Sequence, residues 1–266
     1  MSDHILSLSH GKDSLACIHV IKDVLGWPLD RIVHAEVWAT GTIPADLPPM
    51  VEFKDKADRI IKERWGIEVE HTCATRVDGV RLDKVTYEDV FYKTMEVGKF
   101  IGSIKGFPMS TGNWCTKLKL NALPKAHEDD IMYLGIAADE PERIARHIGK
   151  PNVKLPLVEA GWTEAMCRAW CEENGLLSPI YTTATRGGCW FCHNQGVDQL
   201  RLLRRDYPEY WALLMKWDLD SPVTFKPDGH TVHDFDRRFA LEDEGIVNPI
   251  HLFRWAMLDG DVQLRF

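Results

Sequence analysis

The stretch His4-Ile5-Leu6-Ser7-Leu8-Ser9-His10-Gly11-Lys12-Asp13-Ser14-Leu15-Ala16-Cys17-Ile18 decides how the rest of the chain is read. Ile5 to Leu8 is a short apolar run ending in a Ser/Gly turn, and from Asp13 the apolar residues Leu15, Ile18, Ile21, Val24 and Leu25 recur at helical spacing. A strand, a tight loop and a helix are therefore expected over residues 5–25. A loop in that setting suits phosphate, because a helix N-terminus offers unpaired N–H groups and the positive end of its dipole. Gly11 allows close backbone approach. Lys12 is placed to neutralise β- and γ-phosphate charge, Ser9 and Ser14 to donate hydroxyl hydrogen bonds, and Asp13 to cap the helix or orient a metal ion. A capped turn that happens to hold a lysine is the plainer alternative; the flanking strand and helix favour phosphate.

Outward from this loop the pattern repeats. Ile32 to Trp38 reads as a strand, Pro48 to Trp65 as a helix with Val51, Ala57, Ile60 and Ile61 on one face, and Ile67 to Thr72 as a third strand. Such a βαβαβ order predicts an α/β fold with a doubly wound, mainly parallel sheet. Further on, a helix is expected over 87–97, a buried strand over 131–137, a helix over 141–148, an extended piece over 154–158, and a helix over 163–174 closed by Gly175. The last third is rich in Trp, Arg and Asp, with short helices near 198–205 and 208–217. These features suggest a nucleotide-binding domain over 1–178 and a small, mostly helical, cysteine-containing subdomain over 179–266.

Composition narrows the class. A 266-residue chain that is 45% hydrophobic can bury one large core or a main core with an appendage. Its formal net charge of -8 gives no global pull toward nucleic acid or anionic membrane. No apolar run approaches the roughly 20 residues of a membrane span, and Met1-Ser2-Asp3-His4 opens no secretory signal. Seven unevenly spaced cysteines do not resemble a disulfide framework, so a reducing, cytoplasmic setting is expected.

Ser9-His10-Gly11-Lys12-Asp13-Ser14 lacks the Walker A spacing but resembles the PP-loop, Ser-Gly-Gly-Lys-Asp-Ser, of the adenine nucleotide α-hydrolases. His10 replaces the first glycine, so ordinary backbone angles are expected there. The resemblance implies ATP, with Mg²⁺, cleaved between its α- and β-phosphates to adenylate an acceptor; Lys12 and Asp13 would be the catalytic pair. Three later segments, in order, resemble the phosphoadenylyl-sulfate (PAPS) reductase-like family. They are Asn113-Trp114-Cys115-Thr116-Lys117-Leu118-Lys119, Gly135 to Arg143, and Pro179-Ile180-Tyr181 through Arg186-Gly187-Gly188-Cys189-Trp190-Phe191-Cys192. With the loop they cover residues 5 to about 195. Arg143 is thereby a candidate substrate contact, although Asp139 and Arg143 also have the spacing of an i,i+4 surface ion pair.

Two features separate the chain from true sulfonucleotide reductases. Those enzymes have a degenerate loop, whereas Lys12-Asp13-Ser14 is intact here; they also end in a Glu-Cys-Gly-Leu-His tail, whereas the last cysteine here is Cys192 and the chain closes on Val262-Gln263-Leu264-Arg265-Phe266. The expected reaction is adenylation for sulfur transfer, with thiol-dependent PAPS or APS reduction as the alternative.

Cys189-x-x-Cys192 has chelate spacing. The family resemblance adds Cys115, and His193 is available as a fourth ligand. Three thiolates suit a 4Fe–4S cluster with one open iron, as in PP-loop tRNA thiolases, or Zn²⁺ completed by His193; buried small-hydrophobe cysteines are the plainer reading. Cys167 and Cys171, i,i+4 on a helix, are read as packing. Arg201, Arg204 and Arg205 followed by Tyr207, Tyr210, Trp211 and Trp217 would suit a nucleic acid, but solvated arginines over a Trp211-Leu214-Trp217 core face are favoured. His230, His233, Asp234 and Asp236 are read as polar neighbours of a turn. The implied partners are an adenine nucleotide, an acceptor whose class (nucleic acid included) stays open, and a sulfur donor such as a cysteine desulfurase. A metal-stapled nucleic-acid-binding module is the non-enzymatic alternative.

Overall fold

The computed structural model describes residues 2–77, 79–96, 101–108, 114–123, 127–182 and 188–247. Asn113, Arg186, Gly187 and the closing Val262–Phe266, all used in the sequence reading, lie outside them. The chain divides into two compact units, one of Met1–Tyr87 with Cys115–Cys189, the other of Glu88–Trp114 with Trp190–Phe266. Residues 88–114 thus go with the C-terminal part, and the division comes after Cys189 rather than near Ser178.

In chain order the elements are β1 (His4–Leu8), α1 (Lys12–His19), β2 (Arg31–Glu36), α2 (Pro48–Trp65), β3 (Val69–Cys73), the hairpin pair β4 (Arg76–Val77) and β5 (Val80–Arg81), α3 (Tyr87–Phe91), α4 (Trp114–Ala122), β6 (Ile131–Tyr133), α5 (Pro141–Ala145), β7 (Val153–Lys154), α6 (Pro156–Glu159) and α7 (Glu164–Glu173). A five-stranded sheet in the order β3-β2-β1-β6-β7 has every neighbouring pair parallel. Ile5 and Leu6 on successive positions of β1, and Ile32 and Val33 on β2, are all buried. Burial on both faces is what helices on both sides of a parallel sheet require. The chain moves from β1 outward to β2 and β3, then returns to lay β6 on the other flank of β1. The winding therefore reverses at β1/β6, and the crevice at the C-terminal end of such a reversal is where open α/β sheets take ligands. The loop 9–14 leaves β1 at that point.

One core joins Leu6, Leu15 and Ile18 to Phe53, Ala57 and Ile61 of α2 and to Cys167, Trp170 and Cys171 of α7. Cys167 and Cys171 are 0% exposed and pack against α1, and the Cys171 thiol donates to the Lys12 carbonyl at 3.3 Å. Several elements are shorter than the periodicity predicts. The α-helical part of α1 ends at His19, and a π-helical turn over Val20–Val24 carries the chain to Gly26, whose φ of 63° stops it. The strand expected over 131–137 ends at Tyr133, and the helix expected over 87–97 ends at Phe91.

The second unit adds α8 (Val197–Asp206), α9 (Pro208–Asp220) and α10 (Val232–Asp243). Its aromatics pack on one another: Trp190 stacks on Trp217 and Tyr210, Phe91 stacks on Trp217, and Phe107 meets Phe225 edge-on. Trp211, Leu214 and Trp217 form the buried face of α9. The arginines of α8 are engaged by acids, Arg201 by Glu242 and Asp198, and Arg204 by Asp236 and Asp243. His233 pairs with Asp218, and Asp234 closes a capping box with Thr231. The polar residues near that turn are thus used structurally. Among the described residues, no helix is long and apolar enough to cross a membrane.

Candidate nucleotide site

The loop after β1 is held by hydroxyls. Ser14 Oγ donates to the Gly11 carbonyl at 3.0 Å, accepts the Ser9 N–H at 3.2 Å and lies 2.9 Å from Ser9 Oγ. The Gly11 N–H reaches Ser9 Oγ at 3.4 Å, and the Lys12 N–H reaches the Tyr181 hydroxyl at 3.3 Å. Both contacts are long. Leu15 is the first α1 residue whose N–H finds the helical acceptor, the Gly11 carbonyl at 3.0 Å. The amides before it are the ordinary orphan donors of a helix start. They face a cleft of about 550 Å³ lined by Ser9, Gly11, Asp13, Ser14, Arg143 and Cys189 among others, all in the first unit. That volume falls in the range of small-molecule pockets.

Behind the loop, β6 runs on into Gly135. A Cβ at Gly135 would stand 2.8 Å from Ser14 Cα and 3.0 Å from Ser14 N. No side chain fits between the two segments, so the glycine sets how closely the backbone after β6 approaches the loop. Nothing in the sequence around Gly135 signals this role, because the close approach exists only once β6 lies beside β1.

The Lys12 ammonium turns onto acids. It donates to Asp13 at 2.7 Å and lies 3.2 Å from Glu164. Burial opposes its charge, yet the hydrogen bonds and charges of Asp13 and Glu164 hold its pKa above the ordinary lysine value. Burial pushes the Asp13 carboxyl up, against the pull of Lys12 and with the help of Glu164 and Glu140. Carboxylate oxygens of Asp13, Glu140 and Glu164 lie within 4.8 Å of one another. A set of hard oxygen donors suits Mg²⁺ better than a soft metal. Arg143 pairs with Glu140 at 2.6 Å, not with Asp139 as i,i+4 spacing suggested; Asp139 instead accepts the Glu164 N–H at 2.9 Å at the start of α7.

His10 corrects the sequence reading. Its φ is 57°, in the left-handed region, where ordinary angles were expected. A non-glycine residue pays about 1–2 kcal/mol for that conformation and keeps it only when its surroundings over-determine it. Here they do. The ring is 0% exposed, stands edge-on to His34 with centroids 4.5 Å apart, and donates through Nε2 to Asp58 Oδ1 at 2.7 Å. Asp58 Oδ2 accepts from His71 Nε2 at 2.7 Å, and His71 Nδ1 donates to Glu36 at 2.9 Å.

The partners fix the protonation states. His71 gives both ring hydrogens to carboxylates, and these bonds raise its pKa to about 9. Hydrogen bonding to His71 leads in lowering Glu36 to about 2; burial opposes the charge of Asp58, but His10 and His71 bring it to about 2 as well. His34 must carry its hydrogen on Nδ1, which meets the Leu8 carbonyl at 2.9 Å, and a lone pair on Nε2, which meets the Lys54 ammonium at 2.9 Å. Burial, then the Lys54 charge, take its pKa to about 3. Burial likewise lowers His10, against Asp58, so its ring is neutral with the hydrogen on Nε2.

This network has a pH signature. The folded-state pKa of His71 is raised from 6.5 to about 9, so its contribution is fully present below 6.5 and is lost as pH rises through about 9. Asp58 and Glu36 have the opposite sign, contributing above the ordinary carboxylate range and losing that as pH falls toward about 2. The urea midpoint of the protein is expected to decline between pH 6.5 and 9, and His71→Gln to remove most of that decline. An equal decline in both proteins would show that the alkaline limb belongs elsewhere.

The candidate soft-metal ligands fall in different units. Cys115, on α4, and Cys189 belong to the first, Cys192 and His193 to the second. None of the three thiols forms a disulfide among the described residues, and all are partly exposed. In the second unit the Lys226 ammonium donates to the His193 and Gln195 carbonyls at 2.6 and 2.5 Å, which fixes the turn following Cys192.

No protein-family model matches the sequence, and no curated protein matches it. Among solved structures the chain is similar to the U34-tRNA thiolase NcsA from Methanococcus maripaludis with its 4Fe–4S cluster. That likeness has 14% identity and a TM-score of 0.38, and covers 95% of this chain and 76% of that one.

Proposed function

We propose that the chain is an ATP pyrophosphatase of the PP-loop type, related to the PAPS reductase-like family, that adenylates an acceptor for replacement by sulfur. One observation carries the reading: the Ser-His-Gly-Lys-Asp-Ser loop sits at the reversal point of a parallel sheet, beneath a cleft of nucleotide size. In this reaction an acceptor oxygen attacks the α-phosphorus of ATP, the bond to the bridging oxygen breaks, and pyrophosphate leaves with the electron pair. A sulfur nucleophile then displaces AMP from the adenylate.

The residues divide this work. The amides of Lys12, Asp13 and Ser14 and the hydroxyls of Ser9 and Ser14 bind phosphate oxygens. Lys12 moves from Asp13 and Glu164 to the leaving pyrophosphate, whose charge exceeds that of either acid. Asp13, with Glu140 and Glu164 near it, would hold Mg²⁺, which neutralises phosphate charge when bound. Arg143 lines the cleft and is placed to meet the acceptor or the nucleotide once released from Glu140. Cys115, Cys189 and Cys192 are soft donors suited to a 4Fe–4S cluster, or with His193 to Zn²⁺; a cluster with an open iron supplies a site for sulfide.

The competing reading, thiol-dependent reduction of PAPS or APS, needs a mobile cysteine to attack sulfur, and Lys12 and Asp13 would then have no β,γ-pyrophosphate to hold. An assay that offers ATP, APS and PAPS in turn with candidate acceptors separates the two. Pyrophosphate and AMP from ATP are the expected products. Thioredoxin- or glutaredoxin-dependent sulfite release from APS or PAPS would replace this assignment with the reductase one.

A further inference from the structure

The side chain of Tyr181 reaches the phosphate loop from 169 residues away in sequence. Local structure aims it there. Ser178, 2% exposed, points its hydroxyl at Met50 Sδ at 3.0 Å and with it accepts the Ile180 N–H at 3.3 Å. The Tyr181 N–H donates to the Ser178 carbonyl at 3.2 Å, closing the single 3-10 turn Pro179–Thr182. The phenol then lies over the start of α1. Its oxygen accepts the Lys12 N–H at 3.3 Å and stands 3.4 Å from where a Cβ on Gly11 would be.

A phenol has one hydrogen to give and two lone pairs. A backbone N–H only donates, so the contact with Lys12 occupies a lone pair. Among the described residues no hydrogen bond takes the phenol's own hydrogen. Burial raises the Tyr181 pKa, so that hydrogen is kept at neutral pH. The side chain lines the cleft together with Ser9, Gly11 and Asp13, all in the same unit. A donor without an acceptor thus stands beside amides suited to anions.

We propose that Tyr181 is a direct ligand of the nucleotide's phosphate, giving its hydroxyl hydrogen to the same non-bridging oxygen that the Lys12 N–H binds. The 3.3 Å contact to Lys12 is weakly held, so an oxygen of higher charge takes that amide. The phenol loses one long hydrogen bond and gains a charge-assisted one. It covers the Lys12 amide in this structure, and with the phosphate bound it donates. This inference rests on the nucleotide reading above, and names a ligand outside the loop motif.

Titration calorimetry with MgATP on the intact chain and on Tyr181→Phe, with thermal melting of both without nucleotide, tests it. Phenylalanine keeps the ring and removes only the hydroxyl. The expected result is ATP affinity about tenfold weaker in Tyr181→Phe, as loss of one hydrogen bond to a charged group implies, at an unchanged melting temperature. Wild type binding ATP and the variant binding within twofold of it would overturn the role of Tyr181 and leave the nucleotide reading standing. A loss of affinity accompanied by a melting temperature several degrees lower would also overturn it, since the hydroxyl would then act on the fold. Failure of the wild type to bind ATP would overturn both.

Discussion

Gly135→Ala is expected to damage both the fold and the phosphate loop. The added methyl would stand 2.8 Å from Ser14 Cα and 3.0 Å from Ser14 N, and both are backbone atoms that cannot rotate away. Ser14 cannot retreat freely, because its side chain ties Ser9 to Gly11 and the next residue, Leu15, is fully buried. Overpacking of this kind costs about 1–3 kcal/mol, and relief comes by displacing the amides that bind phosphate. The urea midpoint should fall accordingly and ATP affinity by more than tenfold. Gly188→Ala is the matched control: it lines the same cleft, but a Cβ there meets nothing within 4 Å. Equal behaviour of the two variants would show that the backbone approach at Gly135 does not shape the loop.

Removing any one of Cys115, Cys189 or Cys192 is expected to take bound metal from near-stoichiometric to a small residue. Thiolates hold iron–sulfur clusters and zinc through bonds that serine does not replace. Anaerobic purification followed by elemental and sulfide analysis reads the outcome. Cys73→Ser, at the end of β3, should keep its metal. Cys167 and Cys171 are no part of this set, because both are buried between α1 and α7. Iron with sulfide would assign a cluster and zinc alone a structural site. Neither metal in the wild-type protein would remove the cysteine proposal while leaving the phosphate loop untouched.

What could be read from the sequence was local. β1, the loop and α1 follow one another without a break, so apolar spacing and Gly11 were enough to locate them. The parallel sheet followed from the alternation of apolar runs with helical periods. The His10 backbone could not be read this way. Its left-handed φ is compensated by Asp58 on α2 and by His34 on β2, and Asp58 in turn is held by His71 on β3, contacts that exist only once the sheet is assembled. Tyr181 was visible as a letter in a motif, but the turn that carries it to Lys12 depends on Ser178 meeting Met50 of α2. Helical spacing suggested Asp139 as the partner of Arg143; Asp139 is drawn away to the first turn of α7, so Glu140 takes its place. The boundary expected near residue 178 leaves segment 88–114 in the first domain. Its aromatics Phe91 and Phe107 instead pack on Trp217 and Phe225.

The central claim is that the loop from Ser9 to Ser14 holds the phosphates of ATP, and calorimetric titration of MgATP into the wild-type protein and Lys12→Ala tests it most directly. The Lys12 ammonium contacts only Asp13 and Glu164 among the described residues, and both acids reach solvent, so its removal should leave the fold intact. The prediction is one ATP per chain in the wild type, and at least tenfold weaker binding in Lys12→Ala at an unchanged melting temperature. Equal ATP affinity in the two proteins, or no binding to either, would contradict it.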